Sequence, residues 1–166
     1  MLYFDYVNRR NEALRSLLIM ATLVFDQEYR IARDTPSDIN EHIEILRTLS
    51  DSVDHVTEMG TRTGVSTRAF LSSDVTLRAY DLFLDARVQE LFKHAKENGK
   101  DAEYIQGNVL EQEIEETDLL FIDTWHCYDQ LLAELTIHAP KVKKYIAFHD
   151  TQTYGTRSEE FMGRIG

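Results

Sequence analysis

The chain has 166 residues, of which 43% are hydrophobic and 28% are charged, and this balance is typical of a single folded domain with its own core. Its formal net charge of −11 argues against a nucleic-acid backbone as the main partner, because such binding needs clustered lysine and arginine side chains. A single cysteine excludes both an intramolecular disulfide and a cysteine-rich zinc site, which favours a reducing, cytoplasmic location.

Residues 1–36 are predicted to form an N-terminal helical segment. Apolar residues recur at helical spacing over residues 8–32, and Pro36 follows the end of that pattern. The apolar run over residues 17–25 is too short to span a bilayer and no cleavage pattern follows it, so we predict neither a membrane segment nor a signal peptide. Because the apolar stripe is wider than one helix face, we expect a partner subunit to cover part of it, in a homo-oligomer.

Residues 37–166 alternate between helix and strand patterns and are predicted to form one Rossmann-like domain. Ser37 or Asp38 is placed to cap a first helix. The predicted strands lie around Val56 and over residues 76–80, 102–106, 119–122 and 145–148, and the predicted helices that separate them include residues 85–98 and 128–138, the last with Leu131, Leu132 and Leu135 facing inward. This alternation predicts an α/β fold, a doubly wound parallel sheet with strand order 3-2-1-4-5.

A glycine-containing loop follows the first predicted strand. Gly60 and Gly64 allow a sharp backbone turn and the close approach of a ligand, and Ser66 lies near the start of the helix that follows. A dinucleotide fingerprint requires glycine where Arg62 stands, which argues against an NAD-binding protein. The spacing of Glu58, Gly60 and Gly64 instead resembles motif I of the class I S-adenosylmethionine (SAM) dependent methyltransferases.

Each predicted strand ends in a polar residue. These residues are Glu58, Asp81, Asn108, Asp123 and Asp150. The carboxyl ends of parallel strands meet at one edge of the sheet, where α/β proteins bind their ligands, so we predict a site at that edge. Asp81 is expected to accept hydrogen bonds from ribose hydroxyls. Asn108 stands where class I methyltransferases place an acid against the adenine amino group, and its amide oxygen can accept the same bond.

Two sequence blocks after the fourth and fifth predicted strands give a more specific resemblance. The first reads I-D-x-x-H-x-Y over residues 122–128 and continues to Glu134-Leu135, and the second is H-D-T at residues 149–151. Together they resemble a branch of the class I methyltransferases that includes the metal-dependent sugar and macrolide O-methyltransferases and the cephalosporin-hydroxylase-like proteins, over roughly residues 37–154. The sixth and seventh strands with which that family usually ends have no counterpart pattern after Asp150, so we expect either that the sequence is a fragment or that the fifth strand is a natural edge that another surface covers.

The resemblance implies a SAM-dependent O-methyltransferase acting on a small molecule, with a sugar as one candidate acceptor. Methyl transfer needs alignment of donor and acceptor and removal of the acceptor's hydroxyl proton. His126 is predicted to be the base, with Asp123 as the other catalytic residue, and Asp123 and Asp150 are predicted to hold Mg²⁺, which would make the hydroxyl more acidic. The predicted cofactor-binding residues are Glu58, Gly60, Thr61, Gly64, Ser66, Asp81, Asn108 and Asp123.

Several alternatives remain open at this level. Asp123 can instead contact only the methionine part of the cofactor, or cap the helix that follows. The same fold can use a bound metal for hydroxylation, or cleave SAM without an acceptor. It can also be a truncated module that binds the cofactor or a partner without turnover.

Overall fold

The computed structural model describes residues 22–156, together with residues 12, 16, 158 and 159. Helix α1 covers residues 22–34 of this described part, in agreement with the helical pattern predicted up to residue 32. Apart from residues 12 and 16, which are also helical, the earlier part of the predicted N-terminal segment lies outside the described residues. None of the helices in the described part is long and apolar enough to cross a membrane, and the predicted cytoplasmic location stays a prediction.

Five parallel strands form one sheet in the order β3-β2-β1-β4-β5, which confirms the predicted fold class. The strands are β1 His55–Met59, β2 Thr76–Asp81, β3 Ala102–Gln106, β4 Thr117–Ile122 and β5 Val142–Phe148. β4 is buried at every position, as its continuous apolar run predicts for a strand inside a parallel sheet. The described residues after β5 form turns up to residue 156, and the predicted end of the sheet stays a prediction.

Helices cover both faces of the sheet. They are α2 Ile43–Ser50, α3 Val65–Leu71, α4 Ala86–Glu97 and α5 Tyr128–His138, with short 3₁₀ helices at Val109–Glu111 and Ala139–Lys141. Alternate residues of β4 show the two layers: Leu119 and Phe121 pack in a core shared with α1 to α4, whereas Leu120 and Ile122 pack in a core shared with α5. This arrangement directs the carboxyl ends of all five strands to one edge.

The inward face of α5 differs from the prediction. Leu132 is 50% exposed, while Glu134 and His138 are buried and Leu131 and Leu135 pack beneath the sheet. His138 can face inward because its Nε2 lies 2.9 Å from the carbonyl oxygen of Val109, and burial lowers its pKa, which favours the neutral ring. The prediction is thus confirmed for Leu131 and Leu135 and wrong for Leu132, because Glu134 and His138 have hydrogen-bond partners inside the protein.

Candidate functional site

The loops that follow β1 and β4 are in backbone contact. Gly60 donates its N–H to the carbonyl oxygen of Tyr80 at 2.8 Å, and Asp123 donates its N–H to the carbonyl oxygen of Met59 at 2.8 Å. Gly60 has φ +92, and a Cβ built on it would lie 2.0 Å from the carbonyl oxygen of Asp123. Glycine is therefore required at position 60 both by its backbone conformation and by the space available.

Glu58 lies beneath this loop and is fully buried. Its carboxyl group accepts hydrogen bonds from Ser66 Oγ at 2.5 Å and Thr67 Oγ1 at 2.8 Å, which hold the start of α3 against β1. Burial raises the pKa of Glu58 to about 8, in spite of these two hydrogen bonds. Both Glu58 and Ser66 thus support the loop from inside, and their contact with a cofactor stays a prediction.

Asp81, at the end of β2, is bonded to the same loop. Its Oδ2 accepts hydrogen bonds from the backbone N–H groups of Thr61 at 2.9 Å and Arg62 at 2.8 Å, and from Thr61 Oγ1 at 3.3 Å. Oδ1 accepts one bond, from the N–H of Phe83 at 3.2 Å. Because a carboxylate has about four acceptor positions, Oδ1 keeps the capacity to accept a further hydrogen bond, such as one from a ribose hydroxyl.

Two other predicted cofactor residues have local structural roles. Asn108 caps the 3₁₀ helix that follows β3: its Oδ1 accepts from the N–H of Leu110 at 3.1 Å, and its Nδ2 donates to Glu111 Oε1 at 3.2 Å. Gly64 precedes α3 with φ +79, and a Cβ there would lie 3.3 Å from Val88 of α4. A contact of either residue with adenine or the cofactor stays a prediction.

A narrow cleft of about 20 Å³ lies between the glycine loop and the turn before α2. Among its lining residues, Arg62 of the loop forms an ion pair with Asp38 of the turn. Gly60, Thr61, Ser66 and Asp123 line the same cleft, so four of the predicted cofactor residues converge there. Their polar groups fit the chemistry of the methionine end of SAM, and the cleft is narrow.

Two carboxylates and two imidazoles meet at the ends of β4 and β5. Asp123 Oδ1 lies 3.2 Å from His126 Nε2 and 3.2 Å from His149 Nδ1. With Asp150, these residues each offer one ligand atom, and the four atoms all lie within 4.8 Å of one another. The structure therefore brings together the predicted catalytic pair and the predicted metal ligands, and adds His149 to them.

The charges in this cluster shift the pKa values of its members. The hydrogen bond to Asp123 raises the pKa of His126 to about 9, against the opposing effect of burial. The hydrogen bond to Asp123 also raises the pKa of His149. Although burial opposes it, the bonds from the two imidazoles lower the pKa of Asp123. The neighbouring carboxylates therefore favour the protonated imidazole of His126 when no cation is nearby, and its predicted role as a base stays a prediction.

Two residues of the last described segment contact His126, and the sequence analysis missed both. Glu159 Oε2 lies 2.9 Å from His126 Nδ1, and the Glu159 N–H donates to the carbonyl oxygen of His126 at 2.7 Å. The ring of Tyr154 stacks on the imidazole, with centroids 4.7 Å apart. These residues follow β5 without a periodic pattern, so only the fold brings them to the cluster.

A cavity of about 420 Å³ opens beside the cluster. Its walls include the aromatic side chains of Trp125, Tyr128, Phe148 and Tyr154. Buried Glu134 also lines it: Oε1 accepts from Thr124 Oγ1 at 2.6 Å and Gln130 Nε2 at 2.7 Å, but buried Oε2 has no hydrogen-bond partner among the described residues. A small molecule bound here can stack on the aromatic rings and donate a hydrogen bond to that oxygen.

The sequence matches no protein-family model, and no curated protein matches it. Solved structures do share its fold. PaMTH1, an SAH-bound methyltransferase of Podospora anserina, matches 96% of this chain and 77% of its own, with a TM-score of 0.55 and 14% identity. The 1,6-didemethyltoxoflavin-N1-methyltransferase of Burkholderia thailandensis, whose structure holds 1,6-didemethyltoxoflavin and S-adenosylhomocysteine, matches 84% of this chain and 62% of its own, with a TM-score of 0.58 and 17% identity.

The chain has the fold of the SAM-dependent methyltransferases. The mitomycin 7-O-methyltransferase MmcR also shares it, with a TM-score of 0.52 and 13% identity over 66% of this chain. The matched region spans 36% of MmcR, so the chain corresponds to about a third of that protein's length. The similarity includes O- and N-methyltransferases, and at these identities it concerns the fold alone.

Proposed function

We propose that the chain is a SAM-dependent methyltransferase that transfers a methyl group to a hydroxyl of a small molecule. The observation that carries this proposal is the position of Asp123 between two spaces. Asp123 lines the cleft of the glycine loop, while its neighbours Ile122 and Thr124 line the 420 Å³ cavity. A methyl donor in the cleft and an acceptor in the cavity would meet at this segment, as in-line transfer requires.

The cofactor would lie along the loops after β1 and β2. We propose that Asp81 binds the ribose hydroxyls through Oδ1, and that the backbone of Gly60 and Thr61 borders the methionine part. The cleft is narrow, about 20 Å³, so side chains that line it, such as Arg62, would have to shift while the backbone of the loop stays in place. The Arg62–Asp38 ion pair is a small obstacle, because both side chains are largely exposed and such pairs contribute about 0–1 kcal/mol. When bound, SAM supplies an electrophilic methyl group.

Asp123 and His126 are proposed to act on the acceptor's hydroxyl proton. With a pKa of about 9, His126 can accept a proton near neutral pH only when a positive charge offsets the surrounding carboxylates. Asp123 and Asp150 fit a divalent cation, since their carboxylates flank the imidazoles in one cluster. When bound there, a cation would supply that charge and make the hydroxyl more acidic.

The acceptor is proposed to bind in the cavity beside the cluster. Aromatic walls and the unpaired Oε2 of buried Glu134 favour a molecule that combines apolar faces with hydroxyl groups, and a sugar has this character. The same aromatic walls make an aromatic hydroxyl compound the second class to test.

Product analysis tests the proposal. SAM would be incubated with sugars and with aromatic hydroxyl compounds, with and without divalent cations, and S-adenosylhomocysteine and methylated product would be quantified by mass spectrometry. We expect both products in equal amounts, and their loss in Asp123→Asn and His126→Ala, while Asp129→Asn at the start of α5 keeps activity. SAM binding without any transfer would favour the non-catalytic module, and SAM cleavage without a methylated product would favour the lyase-type alternative.

Self-association is proposed as well. Among the described residues β5 pairs only with β4, and it carries Tyr145 and Phe148, which are 45% and 39% exposed. An uncovered sheet edge with aromatic side chains is a surface that proteins usually cover. Light scattering should give a mass of at least two chains, and a mass of one chain would contradict the proposal.

A further inference from the structure

The cluster at the ends of β4 and β5 contains nitrogen as well as oxygen ligands. Asp123 and His126 follow β4, and His149 and Asp150 follow β5. One ligand atom from each residue lies within 4.8 Å of the other three. The carboxylates alone would suit Mg²⁺. The imidazole nitrogens lie in the same cluster as the carboxylate oxygens, so they are candidate ligands of the same ion.

The spacing of the ligand atoms matches the coordination of a transition-metal ion. His126 Nε2 lies 3.2 Å from Asp123 Oδ1 and 3.5 Å from Asp150 Oδ2. His149 Nδ1 lies 3.2 Å and 3.4 Å from the same two oxygens. Four tetrahedral ligands at about 2.0–2.1 Å from an ion are separated from one another by about 3.3–3.4 Å. The four nitrogen–oxygen distances are therefore close to tetrahedral spacing, and the two remaining pairs, which lie within 4.8 Å, would close onto the ion as it binds.

His126 is also oriented as a metal-bound histidine is. Metal-bound histidines usually donate their second ring N–H to a carboxylate or carbonyl group, which fixes the tautomer and directs the other nitrogen at the metal. Glu159 supplies that carboxylate at 2.9 Å from Nδ1, and the ring of Tyr154 stacks on the imidazole. The side chain of His149 is only 6% exposed and contacts the ring of His42 edge-on. Packing thus restrains both imidazoles.

We infer that the cluster is a mixed nitrogen–oxygen site for a first-row transition-metal ion such as Mn²⁺, Fe²⁺ or Zn²⁺. The ligands are Asp123, His126, His149 and Asp150. Glu159 is a positioning residue that acts through His126. Imidazole suits these ions and is a poor ligand for Mg²⁺. The inference rests on the proposed function for the nearby acceptor hydroxyl, and in it His126 acts on that hydroxyl through the bound ion, which would make the hydroxyl more acidic.

Metal titration of the full chain tests the inference. The protein would be stripped with a chelator and titrated with Mn²⁺, Zn²⁺ and Mg²⁺ in a calorimeter, with the bound metal counted after dialysis. We expect one equivalent of Mn²⁺ or Zn²⁺ with a Kd at least about 100-fold below that of Mg²⁺. Mg²⁺ binding within tenfold of Mn²⁺ would overturn the inference. So would failure to bind any of the three, which would leave a salt-bridge cluster only.

Variants identify the ligands. His126→Ala and His149→Ala should each weaken Zn²⁺ binding at least about 100-fold, and Glu159→Gln about 10-fold. His149→Asp should narrow the preference for Zn²⁺ over Mg²⁺, because it replaces a nitrogen with an oxygen ligand. His94→Ala, on α4, is the control and should change neither the Zn²⁺ affinity nor the preference for Zn²⁺ over Mg²⁺. Unaltered Zn²⁺ binding in His126→Ala, with an unchanged circular dichroism spectrum, would exclude His126 as a ligand and overturn the four-residue site.

The two proposals fail separately. SAM binding to the stripped chain, without metal binding, would overturn this inference and leave the cofactor assignment intact. Metal binding with the predicted selectivity, but no SAM binding, would overturn the methyltransferase proposal and leave the metal site intact.

Discussion

Gly60 and Asp123 belong to different loops, yet the backbone of one leaves no room for a side chain on the other. A Cβ on Gly60 would lie 2.0 Å from the carbonyl oxygen and 2.7 Å from the carbonyl carbon of Asp123. The loop that carries the predicted cofactor residues is thereby fixed against Asp123, the residue proposed to bind a metal ion and to act on the acceptor. The geometry of the whole candidate site depends on this contact.

Gly60→Ala should destabilise the protein much more than Gly99→Ala. Both glycines have positive φ, +92 and +77, so alanine costs about 1–2 kcal/mol at either position. Gly99 has no atom within 4 Å of a built Cβ, whereas Gly60→Ala also forces two backbone segments apart, for a total of roughly 2–5 kcal/mol. Urea denaturation measures both values, and equal losses would show that the Gly60–Asp123 contact is not tight in solution.

Glu58→Gln should change how stability depends on pH. The folded-state pKa of Glu58, about 8, is above its ordinary value of 4.5, so the folded chain holds an extra proton between these values. Stability is therefore lost as pH rises from about 4.5 to 8, by at most roughly 5 kcal/mol. Glutamine does not titrate, so the variant should gain stability relative to the original chain as pH rises across that window.

The control for this prediction is Glu97→Gln, at an exposed position of α4. The difference in free energy of unfolding between this variant and the original chain should be constant between pH 5 and pH 8, within about 0.5 kcal/mol. A Glu58→Gln difference that is also constant across this range would mean that Glu58 titrates normally, and that its burial is incomplete in solution.

Asp81→Asn should weaken SAM binding about 10- to 100-fold, because hydrogen bonds to a charged group contribute about 1.5–3 kcal/mol. The variant removes charge from the group that binds the N–H groups of Thr61 and Arg62 and is proposed to bind ribose. Asp74→Asn, just before β2 at the opposite end of the strand, is the matched control. Calorimetric titration measures the Kd for SAM in both variants. A Kd of Asp81→Asn similar to that of Asp74→Asn would show that Asp81 does not bind the cofactor.

Glu134→Gln should raise the KM for the acceptor about 10-fold or more while leaving SAM affinity unchanged. The amide keeps one oxygen for Thr124 and Gln130, so the fold is preserved, but it replaces the unpaired Oε2 with a donor. Trp125 is the one tryptophan in the sequence and lines the cavity, so its fluorescence reports occupancy directly. Equal acceptor affinity in the two proteins would show that the acceptor does not reach Glu134.

The sequence predicted the fold well because its signals were local. Strand β3 and helix α5 have the predicted bounds, since their apolar periodicity and flanking turn residues specify them without distant contacts. The meeting of Asp123, His126 and Asp150 also followed, because parallel strands bring their ends to one edge.

The rest depended on contacts between distant residues. Glu159 and Tyr154 reach His126 from an irregular segment, and the sequence carries no signal for that. Burial of His138, which with Glu134 faces inward in place of Leu132, depends on the carbonyl oxygen of Val109, 29 residues earlier in the chain. Ser66 donates its hydroxyl to the buried carboxyl group of Glu58. The spacing of the two residues in the sequence does not predict this contact.

The central claim is that this chain binds SAM at the edge formed by β1, β2 and β4. Calorimetric titration of the full chain with SAM, S-adenosylhomocysteine and NAD tests it most directly. We expect both sulfur nucleosides to bind with one site per chain and a Kd of roughly 1–100 µM, typical of enzyme substrates, and NAD to give no binding heat. Binding of NAD, or no heat with either sulfur nucleoside, would contradict the account.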